Sequence, residues 1–103
     1  MQIQYNYANV EASKALEDHV AGELESSVGR FAERLTRVEV HFGDVNGSGK
    51  SGPADKRCLL EARPAGRDPI AIEGVADSFY AAASDAAGKL GRAIANRMDR
   101  KEW

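Results

Sequence analysis

The sequence predicts an α+β fold: a single β-α-β-β-β-α domain in which a four-stranded sheet carries two helices on one face. Three observations predict it. Four segments alternate apolar and polar residues with period two, two longer segments repeat apolar residues every three or four positions, and each predicted strand has only one clearly apolar side. A sheet with one apolar face needs one covering layer, so both helices belong on the same side and the opposite face stays polar and open. With 103 residues the chain fits one domain, residues 1–103, able to bury one modest core.

The first strand is read from Ile3, Tyr5 and Tyr7, which alternate with Gln2, Gln4 and Asn6. After Asn9 and Val10, Ser13 is placed to cap a helix whose apolar stripe runs Leu16, Val20, Leu24, Val28, Phe31 and Leu35. Its exposed side is acidic, with Glu17, Asp18, Glu23 and Glu25. Segment 36–42 returns to alternation, setting Val38, Val40 and Phe42 against Arg37, Glu39 and His41. Gly, Ser, Asn and Pro crowd segment 43–55, which predicts a flexible loop too long for a tight hairpin. In 56–63, Cys58, Leu60 and Ala62 are expected to face the core and Arg57, Leu59, Glu61 and Arg63 the other side. Pro64 to Pro69 turns the chain, and Ile70 and Ile72 mark a short fourth strand ended by Gly74. The last helix is expected to begin near Asp77 and run to Lys101, docking through Phe79, Ala83, Leu90 and Ile94. The open sheet face would then carry Arg37, His41, Arg57 and Arg63.

Hydrophobic residues at 43% and charged residues at 29% are ordinary for a globular protein, which excludes a disordered or fibrous chain. No apolar run reaches membrane-spanning length, and the N-terminus lacks the basic segment and apolar core of a secretory signal, so a cytoplasmic location is expected. Cys58 is the single cysteine, which rules out an internal disulfide and fits a reducing compartment.

Charge is uneven. Residues 1–35 hold six acids and three bases (net -3), whereas 85–101 hold two acids and five bases (net +3), although the whole chain sums to only -2. At about 100° per residue, Lys89, Arg92, Asn96 and Arg100 fall within roughly 80° of one another, turned away from the apolar stripe. Such a helix can dock and bind at once, and its positive side suits a phosphate backbone. The plainer reading is a solvated face whose cations complement the helix C-terminus.

Two motifs mislead. Gly43 to Ser51 looks like a phosphate-binding loop, but five residues separate Gly43 from Gly49 where that motif requires four, and a strand follows it instead of a helix. Asp44, Asn46, Ser48, Gly49 and Asp55 match positions of a calcium-binding EF-hand loop, yet strands flank them and Asp55 stands where a bidentate Glu is usual. His19 and His41 have no Cys or His at metal-ligand spacing and are read as surface histidines, with His41 a possible RNA contact. Tyr80 borders the apolar stripe and is read as a packing residue. No catalytic Ser-His-Asp or Cys-His set can be assembled, and Cys58 would be shielded from a substrate.

Taken together, Thr36-Arg-Val-Glu-Val-His-Phe, Asp55-Lys-Arg-Cys-Leu-Leu-Glu-Ala-Arg, Gly66-Arg-Asp-Pro-Ile-Ala-Ile and Asp77-Ser-Phe-Tyr-Ala-Ala-Ala-Ser-Asp-Ala-Ala-Gly-Lys-Leu resemble the ribosome hibernation promoting factor and RaiA family nearly end to end. The most specific pieces are Asp55-Lys-Arg-Cys and the Tyr80-Ala-Ala, Asp85, Lys89-Leu90 pattern. The resemblance implies a domain similar in layout to double-stranded-RNA-binding domains. It would lodge in the cleft of the small ribosomal subunit, where messenger and transfer RNA would sit, and silence idle ribosomes. It also implies phosphate contacts to 16S ribosomal RNA from Lys89, Arg92, Arg97 and Arg100, with Arg30 and Arg34 as helpers. Recognition would be by shape and phosphate placement. Long forms of that family add a C-terminal dimerisation domain, so this chain is expected to be a short form, monomeric away from the ribosome. No membrane, cofactor, metal or small-molecule substrate is expected. Two alternatives stay open: a protein-interaction module of the same fold using the acidic first helix or the open sheet, and a calcium-responsive domain built on 44–55.

Overall fold

The computed structural model describes residues 1–45 and 55–100. The first strand, β1 (Gln2–Tyr7), is followed by a helix, α1 (Lys14–Val28), and a 3-10 helix (Gly29–Arg34). Three strands follow, β2 (Leu35–Asp44), β3 (Lys56–Pro64) and β4 (Ile70–Ala76), and then a second helix, α2 (Phe79–Asp99). The sheet order is β1-β2-β3-β4, with β1 and β2 parallel and the other two pairs antiparallel. A parallel pair needs a crossover, and α1 supplies it.

Serine caps begin both helices. Ser13 Oγ accepts from the Leu16 N–H at 3.1 Å and Ser78 Oγ from the Ala81 N–H at 3.1 Å, satisfying donors that the first turn leaves open. Leu16, Val20, Leu24 and Val28 from α1, and Ala83, Ala86, Ala87, Leu90 and Ile94 from α2, meet Val38, Val40, Phe42, Cys58, Leu60 and Ala62 in one core. Both helices therefore cover one face of the sheet, as the one-sided strands require. Cys58 is buried there, and loss of solvent pushes its thiol up to about 12, which leaves it protonated and inert.

Three elements differ from the sequence expectation. The stripe from Leu16 to Leu35 is not one helix: the α-helix stops at Val28, Phe31 lies in the 3-10 turns and Leu35 opens β2. Spacings of three and four suit a 3-10 segment as well as an α-helix, so the buried positions kept their period while the backbone changed. Strand β4 does not end at Gly74 but continues to Ala76. That glycine is a point of close approach, since a Cβ there would lie 2.2 Å from Ala82 O and 2.8 Å from Ala86 N. Finally, Gly43 and Asp44, expected in the loop, belong to β2. Most of the phosphate-loop and calcium-loop residues, 46–54, lie outside the described residues, as does Trp103. Of the calcium pattern's described carboxylates, Asp44 and Asp55 flank the Lys56 ammonium at 3.0 and 3.6 Å.

Candidate nucleic-acid interface

The two helices run parallel. His19 Nε2 lies 3.0 Å from Ser84 Oγ, and that hydroxyl donates to Glu23 Oε1 at 2.9 Å. One turn further along α1, Ser27 faces Gly91, where a Cβ would come within 2.7 Å of the Ser27 carbonyl oxygen. Glycine at 91 thus lets the helices touch backbone to backbone. Both C-termini consequently point the same way, toward the 3-10 helix and the β3–β4 turn, which is tied on by the Ala65 N–H donating to Arg34 O at 3.1 Å. Helix C-termini carry partial negative charge, and the basic residues gather at that end.

Just beyond the contact at Gly91, a shallow groove of ≈ 290 Å³ runs between the helices. Its walls are Arg30 and Arg92, and its remaining lining is Ser27, Gly88, Gly91 and Ala95. Small residues leave the floor open to an incoming group, while the Arg92 guanidinium lies near Gly88, its Nη1 3.5 Å from where a Cβ would stand. Arg30 is held over the Phe31 ring, with Cζ 4.6 Å from the centroid. Among the described residues, Arg30, Arg34, Arg67, Arg92 and Arg97 form no ion pair, so their charge is available to an outside anion.

A family model described as "Sigma 54 modulation protein / S30EA ribosomal protein" matches residues 3–102. The chain belongs to that family. Two solved structures share its fold. A ribosomal subunit interface protein from Coxiella burnetii superposes with a TM-score of 0.76 at 17% identity, covering 96% of this chain and 99% of that one. The N-terminal domain of Protein Y from Thermus thermophilus superposes with a TM-score of 0.69 at 22% identity, covering 91% and 96%. The curated proteins include no match.

Within this S30EA-family domain the six expected contact residues do not form one patch. Arg92 and Arg30 share the groove. Arg34 ends the 3-10 helix, and Arg97 sits half-buried in the last turn of α2. Arg100 follows that helix, its backbone N–H closing on Asn96 O at 3.1 Å. Lys89 stands apart: its ammonium pairs with Asp85 at 2.9 Å and donates to Glu73 O at 3.3 Å, so it leans on β4 and not into the groove. Sequence reading missed Arg67, which the β3–β4 turn brings to the same end as Arg34. It also missed the glycines and serine that shape the groove, because small residues carry no charge signal.

The open sheet face is balanced, not basic. Arg37 and Arg63 both donate to Glu39 Oε2 at 2.8 Å, and Arg57 pairs with Glu73. These bonds hold the Glu39 carboxyl below its usual 4.5, the Arg37 bond contributing most. His41 is half-buried between Glu39 and Glu61 on this face. Tyr80 is 44% exposed and stands edge-on to His19 at 5.2 Å, outside the core where packing was expected.

Proposed function

We propose that this domain binds the small ribosomal subunit, lodges in its messenger and transfer RNA cleft, and holds ribosomes idle by occupying that space. Family membership, together with the likeness to the Coxiella burnetii ribosomal subunit interface protein, supports a ribosomal partner. The observation that carries the contact face is the helix groove. There two arginines without ion pairs among the described residues flank a floor of small residues, whereas the sheet arginines are already neutralised by Glu39 and Glu73. Phosphates of a folded RNA suit that arrangement, because shape and charge placement suffice without a base-reading code. Arg34, Arg67, Arg97 and Arg100 extend the contact toward the shared end of the helices, and Lys89 joins after exchanging Asp85 for a phosphate.

The role is steric binding in the cytoplasm by one monomeric domain spanning 1–103, with no chemical step. Reversing Lys89 and Arg92 together (K89E, R92E) is expected to abolish co-sedimentation with small subunits while the circular dichroism spectrum and thermal midpoint stay near those of the parent. Of the single variants, R92E should lose more binding than K89E, because Lys89 is already engaged within the protein. Unchanged binding by the folded double variant would refute this contact face.

A further inference from the structure

The open sheet face contains a cluster that the RNA reading does not use. Glu39 and Glu61 are directly opposite on β2 and β3, and His41 lies two residues along β2 on the same face. Two carboxylates in facing positions repel, so a cation must lie close to them. Arg37 and Arg63 meet one side of that need, both bonding Glu39 Oε2 while Arg63 also lies 3.7 Å from Glu61 Oε2. That leaves Oε1 of each glutamate turned toward His41. One carboxylate oxygen from each of Glu39 and Glu61 and a ring nitrogen of His41 all lie within 4.8 Å of one another.

His41 Nε2 supplies an independent observation. The atom is buried and lies 3.0 Å from Glu61 Oε1 and 3.7 Å from Glu39 Oε1, yet it is in hydrogen-bond alignment with neither. A buried ring nitrogen without an aligned hydrogen bond is costly, and this one faces two carboxylate oxygens at ion-pair distance. Those separations bracket the edge of a tetrahedron built on metal bonds of about 2.0–2.1 Å, which is about 3.3 Å. The two glutamate oxygens, also within 4.8 Å of each other, would close on the same ion from either side of the ring.

We propose that Glu39, His41 and Glu61 form a binding site for a divalent transition cation, with Zn²⁺ the best fit and water in the fourth position. One imidazole and two carboxylates are a donor set that zinc accepts. Arg37 and Arg63 act as the outer shell, holding the second oxygen of Glu39 and so orienting the first. Their positive charge also opposes a second cation, which weakens the site. Gln4 and Asn6, at the β1 register positions beside Glu39 and His41, border the site, and Leu59 stands opposite His41 on β3. A cavity of ≈ 400 Å³ lined by His41, Asp44 and Arg57 adjoins the His41 side of the site. Loading would add two positive charges to a face that is otherwise balanced.

The test is a titration of the metal-free full chain with Zn²⁺, and with Mg²⁺ as the hard-cation control, read by calorimetry and by the ring signals of both histidines in NMR. One equivalent of Zn²⁺ is expected to bind, shifting the His41 ring and leaving His19 unmoved, with Mg²⁺ silent. His41→Gln and Glu61→Gln should each weaken binding at least tenfold while far-ultraviolet circular dichroism is unchanged. The wild-type NMR shifts locate the ion even if a variant fails to fold. No binding at millimolar Zn²⁺, a shift confined to His19, or full binding by folded His41→Gln would overturn the proposal.

Discussion

Glu39 shows how one residue can be held by two neighbours and what that implies for pH. Its carboxylate accepts from Arg37 and Arg63 at 2.8 Å while its side chain is only 13% exposed, and its carboxyl sits below the usual 4.5. A lowered carboxyl stabilises the folded state above 4.5, and that contribution is lost as pH falls through the folded value. Glu39→Gln is therefore expected to lower the thermal midpoint at pH 7 and to converge with the parent as pH falls below 4.5. A gap that stays constant from pH 7 to 3 would count against this account. The inward and outward identity of Val38, Glu39, Val40 and His41 was legible from alternation alone. Their pairing was not, because it depends on the register that sets Glu39 against Glu61 and Arg37 against Arg63.

Among the elements, the contact between α1 and α2 depends on Gly91. A Cβ at that position would meet the Ser27 carbonyl at 2.7 Å, so Gly91→Ala must push the helices apart. The expected cost is about 1–3 kcal/mol from overpacking, offset in part by the better helix propensity of alanine. Gly88→Ala, one turn earlier, would meet only the flexible Arg92 guanidinium, at an ordinary contact of 3.5 Å, and should be neutral or slightly stabilising, which separates crowding from a general effect of glycine; chemical denaturation of the two variants side by side checks this. Equal stability changes in both would refute the close-contact explanation. Helix and strand identities could be read from the sequence because each element buries one face. The ends could not. The stripe through Phe31 and Leu35 kept helical spacing across a 3-10 segment and into a strand, and Gly74 resembled a stop signal although it is a packing position.

At the scale of the molecule, parallel helices and the sheet order collect Arg30, Arg34, Arg67 and Arg97 at one end, whereas Glu11, Glu17, Asp18 and Asp77 lie toward the other. The longest dimension is 44 Å, several times the screening length of about 8 Å at physiological salt, so a ligand at one end feels that end and not the total of -2. The uneven charge was visible along the chain, but its concentration at one end follows from the parallel helices, which no local pattern specifies. The most direct measurement is co-sedimentation with ribosomes and separated subunits across a salt series, comparing the parent with the Lys89→Glu, Arg92→Glu double variant. The account predicts retention on the small subunit, with log affinity falling by roughly 0.7–0.9 per log unit of salt for each phosphate contacted, and loss of retention in the variant. Protein left in the supernatant at low salt, or retention indifferent to salt and to the two substitutions, would contradict it.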